Sequence, residues 1–97
     1  MKPINSESVD RLYETILSLK NLDECRAFFE DVCTIKEITD MSQRLDTAFL
    51  IDDGVSYQKI SERIGVSTAT ISRVSRCLNY GAGGYRTVID RTKEEKA

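Results

Sequence analysis

From Val66 to Arg76 the chain reads Val-Ser-Thr-Ala-Thr-Ile-Ser-Arg-Val-Ser-Arg, with no carboxylate anywhere in the run. The hydroxyls of Ser67, Thr68 and Ser72 can donate and accept hydrogen bonds, and the Ala69 methyl offers a short apolar contact. Arg73 and Arg76 carry guanidinium groups suited to phosphate. Just upstream, Tyr57, Gln58, Lys59 and Arg63 add two more cations and two polar side chains. Short side chains that approach a surface closely, flanked by cations, match the division between base-edge readout and phosphate contact. On this reading Thr68, Ala69 and Ser72 face base edges, while Tyr57, Gln58, Lys59, Arg63 and Arg76 contact the sugar-phosphate backbone. Arg73 is a further phosphate contact, and Ser67 opens the reading face. Thr70 is expected to bond back to a helix carbonyl instead.

Two helices must hold these groups. Ser56 can cap the first, whose inner face is Ile60 and Ile64 with small Ser61 beside them. Gly65 ends it, because glycine takes the left-handed conformation at little cost. Val66 plugs the corner, and Ser67 or Thr68 opens the second helix, which buries Ile71, Val74 and Leu78 at i, i+3, i+7. This is the helix-turn-helix pattern, complete within residues 56–78. The plainer reading is two packed helices of an ordinary helical domain. An ordinary solvated face would carry Glu and Lys, and this one does not.

Composition bounds the rest. Ninety-seven residues form one small domain whose core dimerisation would enlarge. The total charge of −2 says nothing about nucleic acid, but its distribution does. Residues 1–54 hold 6 basic and 12 acidic side chains, and residues 55–93 hold 7 basic and 2 acidic, so an acidic body carries a basic head. No apolar run reaches signal-peptide or membrane-spanning length, so no membrane partner is expected. Cys25, Cys33 and Cys77 lack close spacing and fit buried thiols in a reducing, cytoplasmic protein. With no histidine and no Cys-x-x-Cys there is no zinc site, no cofactor is expected, and no nucleophile stands beside a base. An enzyme is not expected.

In order, residues 1–5 read as a loose tail, and a first amphipathic helix runs from Ser6 or Ser8 to Lys20 with Val9, Leu12, Ile16 and Leu19 inward. Asn21 begins a second helix bearing Leu22, Cys25, Phe28, Phe29, Val32 and Cys33, a face broad enough for a second subunit as well as the chain's own core. Thr34 and Glu37 form a capping box for a third helix reaching Asp52, with Ile38, Met41, Leu45, Ala48 and Phe49 inward. The class is all-α. Residues 6–54 make a dimerisation body and 56–78 the reading head. The remainder, 79–97, is a tail: a glycine-rich break, a short helix or packed segment over 85–91, and disorder over 92–97.

Thr34-Ile-Lys-Glu-Ile, Gln43-Arg44-Leu45, Gly54 and Ala69-Thr70-Ile71-Ser72-Arg73 resemble the Trp repressor superfamily. Arg76-Cys77-Leu78-Asn79-Tyr80-Gly81, with Gly84-Tyr85 after it, is similar to that superfamily's YerC/YecD branch. The resemblance covers roughly residues 22–85. It implies an intertwined homodimer whose two symmetric heads dock into successive major grooves of a roughly palindromic operator in double-stranded DNA, with repression as the outcome. It also implies an effector pocket to which Thr34, Arg44, Arg73 and Cys77 correspond by position. Val74 stands where the repressor has glycine, and Cys77 where it has serine. The added bulk predicts that tryptophan does not fit, leaving ligand-independent binding or another small-molecule effector. The competing function is a helix-turn-helix module that grips a protein partner instead of DNA.

Overall fold

The computed structural model describes residues 6–96, which form six helices and no strand. They are α1 (Ser6–Leu17), α2 (Leu22–Val32), α3 (Ile35–Asp52), α4 (Tyr57–Ile64), α5 (Thr68–Tyr80) and α6 (Gly84–Lys96). The all-α expectation holds for these residues; the loose tail expected over 1–5 lies outside them. The chain divides after Ile38 into two compact units.

In the first unit, α1 ends three residues before the expected Lys20. The Ser18 N–H and hydroxyl both turn back to the Thr15 carbonyl, at 3.0 and 2.6 Å, and close the helix. Asn21 then caps α2 by accepting the Glu24 N–H at 2.9 Å, while Glu24 accepts the Lys20 N–H at 2.9 Å. The capping box at α3 forms as read: the Thr34 N–H donates to Glu37 Oε1 at 2.8 Å and the Glu37 N–H to Thr34 Oγ1 at 3.0 Å. The bond from the Thr34 backbone N–H first, and then one from the Thr34 side chain, hold the Glu37 carboxyl below its usual range. Phe28 and Phe29 meet edge to face at 5.5 Å. No residue of α1 or α2 is fully buried within the single chain, and Leu17 and Ile35 are 84% and 85% exposed.

The second unit contains both apolar cores. A Schellman turn ends α3, with the Val55 N–H reaching the Leu50 carbonyl and the Gly54 N–H that of Ile51, each at 3.0 Å. Ile60, Val66 and Ile71 form one buried cluster, against which Leu50, Ile51, Val55 and Ile64 pack. Ala48, Val74 and Ile89 form the other, flanked by Phe49, Leu78 and Tyr85. Met41 and Leu45 were expected inward but are exposed, because both clusters sit farther along α3. The cysteines differ too: Cys25 and Cys33 are half-buried and Cys77 exposed, all as free thiols.

Of the two forms expected over 85–91, a short helix or a packed segment, the helix is the one found, and it is longer than expected. α5 continues to Tyr80, and after a three-residue break α6 runs through Lys96, including 92–96, where disorder was expected. Ile89 is completely buried, and the exposed ends of α6 are tied to α3 by ion pairs from Arg86 and Lys93 to Asp52. The Asp52 carboxyl lies below its ordinary range, chiefly through the bond from Arg86 and then that from Lys93. Tyr85, Val88 and Ile89, at i, i+3, i+4, are the signal that marks this helix in the sequence.

Gly81 makes the break possible. Its N–H closes α5 on the Cys77 carbonyl at 2.8 Å, and a Cβ there would stand 2.4 Å from that same oxygen. Gly81→Ala is therefore expected to destabilise the fold by about 1–3 kcal/mol in urea unfolding, the cost of forced overpacking. An unchanged midpoint would mean that the turn relaxes freely.

Candidate nucleic-acid interface

Helices α4 and α5 form the helix-turn-helix expected within residues 56–78, and each start and stop has a local cause. The Ser56 hydroxyl accepts the Lys59 N–H at 3.3 Å, and Gly65 adopts φ +85°, ψ +15° with its N–H on the Ser61 carbonyl. The Ser61 hydroxyl spans the corner and donates to the Val66 carbonyl at 2.9 Å. Ser61 thus does more than leave room: it ties the two helices together at the turn. Val66, as read, is buried in the corner.

Ser67 caps α5 by accepting the Thr70 N–H at 3.1 Å, and its own hydroxyl donates to Thr70 Oγ1 at 3.1 Å. Both functions of Ser67 are thereby committed to orienting the helix start. Thr70 bonds to this cap, and not to the carbonyl one turn earlier as expected. Thr68, Ala69, Ser72, Arg73 and Arg76 are all exposed, opposite the buried Ile71 and Val74. On α4, Tyr57, Gln58, Lys59 and Arg63 are exposed as well, and Gln58 Nε2 rests on Glu62 Oε1 at 3.3 Å.

The ion pairs sharpen the charge pattern. Of the 7 basic residues in 55–93, Arg86 and Lys93 are taken up by Asp52, Asp53 and Asp90. Positive charge available to a partner is thus concentrated on Lys59, Arg63, Arg73 and Arg76, the cations of the head, with Arg91 beyond it on α6.

A cavity of about 350 Å³ lies beside α5, lined by Arg44, Thr70, Arg73, Val74, Cys77 and Tyr85. Three of the four residues expected at an effector pocket share it. The fourth, Thr34, belongs to the first unit, with its hydroxyl in the capping box. Tyr85, which opens the segment expected as a short helix or packed tail, lines the cavity too, and no local pattern marks it for that role. Val74 is only 2% exposed and its side chain belongs to the core with Ala48 and Ile89, so the cavity has an aliphatic wall. Among the described residues there is no group of three or more His, Cys, Asp or Glu able to hold a metal ion. No helix among them is long and apolar enough to cross a membrane.

The family described as Trp repressor protein matches residues 7–93. The chain is 50% identical over 91 residues to the uncharacterized protein YerC of Bacillus subtilis (strain 168), covering 94% of this chain and 88% of that one. A solved TrpR-like protein from Eubacterium eligens superposes with a TM-score of 0.88 at 51% identity, covering 91% of each chain. A second solved chain, from Staphylococcus aureus, gives 0.87 at 44% identity, covering 92% of this chain and 89% of its own. The family is one of helix-turn-helix regulators and not of enzymes. The chain therefore belongs to the Trp repressor family, in its YerC-like branch.

Proposed function

We propose that this protein is a sequence-specific transcriptional repressor that binds a palindromic operator as a homodimer through α4 and α5. The observation that carries this reading is the outer face of α5, where Thr68, Ala69 and Ser72 are exposed beside Arg73 and Arg76 and no acidic residue lies between Val66 and Arg76. Hydroxyls and a methyl at the helix's N-terminal end favour thymine-methyl contacts and water-bridged bonds. Lys59, Arg63 and Arg76, with Tyr57 and Gln58, set register on the phosphates. Arg73 has two roles open to it, a phosphate contact and the wall of the cavity. Ser67 serves by capping.

Dimerisation is supported by the first unit. Helices α1 and α2 bury no residue completely within one chain, and Leu17, Leu22, Val32 and Ile35 stand exposed. A second copy would cover such a surface, and its two-fold axis would set two heads about one helical turn of DNA apart. The free thiols agree with a cytoplasmic site of action. The aliphatic wall at Val74 supports binding without tryptophan, either unaided or with another small ligand between Arg44 and Arg73.

Selection of bound sequences from random duplexes tests this, run with and without a pool of amino acids. A palindrome with dimer spacing is expected in both arms. In shift assays Thr68→Ala or Ser72→Ala should each lose about 1–3 kcal/mol of discrimination between selected and scrambled duplex. Arg76→Ala should weaken both alike. Indifference of the wild-type chain to every duplex in dilute salt would sink the reading and favour a protein partner at the basic head.

A further inference from the structure

Asp52 is in an unfavourable place for a carboxylate. It is the last residue of α3, where the helix dipole is negative, and its side chain is only 14% exposed. It is held there by two cations of α6. Arg86 Nη2 donates to one oxygen at 2.6 Å, and Lys93 Nζ pairs with the other. Each cation has a second partner, Asp90 at 3.0 Å from Arg86 and Asp53 at 3.5 Å from Lys93. One carboxylate thus grips α6 at two points seven residues apart.

Between those points lies Ile89, fully buried in a cluster with Ala48 of α3 and Val74 of α5. The recognition helix therefore has two separate supports. Its N-terminal half is fastened to α4 through Ile71, in the cluster with Ile60 and Val66. Its C-terminal half, from Val74 to Leu78, rests on α3 and α6. Two supports define a line, and the second exists only while α6 is seated. With α6 loose, α5 can pivot about Ile71, and Ser72 and Arg76 swing relative to any groove that Thr68 has entered.

We propose that Asp52 is a positioning residue for DNA recognition: by clamping α6 against the end of α3, it fixes the pitch of α5. This rests on the DNA-binding reading, but half of its test does not. Residue-resolved amide hydrogen exchange needs no DNA. In Asp52→Asn, at a temperature where helicity matches wild type, exchange should accelerate across α6 and residues 74–80 while α4 is unchanged. Affinity for the selected duplex should fall roughly tenfold, a coupling typical of linked elements, with little loss on scrambled duplex. Asp52→Glu, which keeps the charge, should recover protection and discrimination.

Wild-type protection in Asp52→Asn, or an equal loss on both duplexes, would overturn the proposal, as would failure of Asp52→Glu to recover either property. Should Asp52→Asn not fold, Lys93→Met removes one grip point and must show the same pattern at smaller amplitude. If the wild-type chain binds no duplex, the exchange measurement alone decides whether Asp52 holds α5.

Discussion

Ile71→Ala is expected to destabilise the protein by about 2–5 kcal/mol, in the range of large-to-small changes at fully buried sites. Ile71 has no exposed surface and shares its cluster with Ile60 and Val66, so it joins α5 to both α4 and the corner. Truncation removes the transfer energy of three carbons and leaves a void that Leu50, Ile51, Val55 and Ile64, packed against the cluster, cannot fill without shifting. For a domain whose whole stability is of order 5–15 kcal/mol, that loss is a large fraction. Urea unfolding followed by circular dichroism measures it. Thr68→Ala, on the exposed face of the same helix, serves as the control and should stay within about 0.5 kcal/mol. A loss below about 1 kcal/mol for Ile71→Ala would show that the corner is loosely packed and cannot orient a reading face.

The second large effect is electrostatic. Replacing Lys59, Arg63 and Arg76 together by glutamine removes three exposed cations from each head. If the protein binds as the proposed dimer and each cation meets one phosphate, six contacts are given up, and the slope of log affinity against log salt should flatten by about 5. Affinity in dilute salt should fall by roughly a thousandfold or more for selected and scrambled duplex alike. Folding should change little, because none of the three is ion-paired within the described residues. Titration of a labelled duplex across a salt series reads both quantities. An unchanged slope would place the phosphate contacts elsewhere, with Arg91 of α6 the next cation to examine.

The reading head was legible because its signals are local. A hydroxyl three residues before a backbone N–H, a glycine at a stop and aliphatics at helical spacing act within one or two turns. Ser56, Gly65, Ser67 and the Thr34–Glu37 box accordingly behave as read. The C-terminal segment was harder for a physical reason. Charge dominates it after Arg86, and its stability comes from partners 34 and 41 residues distant in sequence, through Arg86 and Lys93 to Asp52. The same distance hid Tyr85 from the cavity and placed Arg86 and Lys93 in the count of available charge when they are already spent on carboxylates. Local rules also misplaced Met41 and Leu45, since periodicity identifies a stripe on α3 but not which part of the stripe its neighbours cover.

The amino-acid order by itself determined an all-helical chain, the two helices of the head, the corner at Gly65 and the polar outer face of α5, because each depends on interactions among near neighbours. Only the tertiary structure decided that α6 exists to Lys96, that Ile89 supports Val74, and that Arg44, Arg73 and Cys77 share one cavity with Tyr85. Those outcomes depend on which distant groups meet, and burial and charge pairing select among meetings that a one-dimensional pattern leaves equally open.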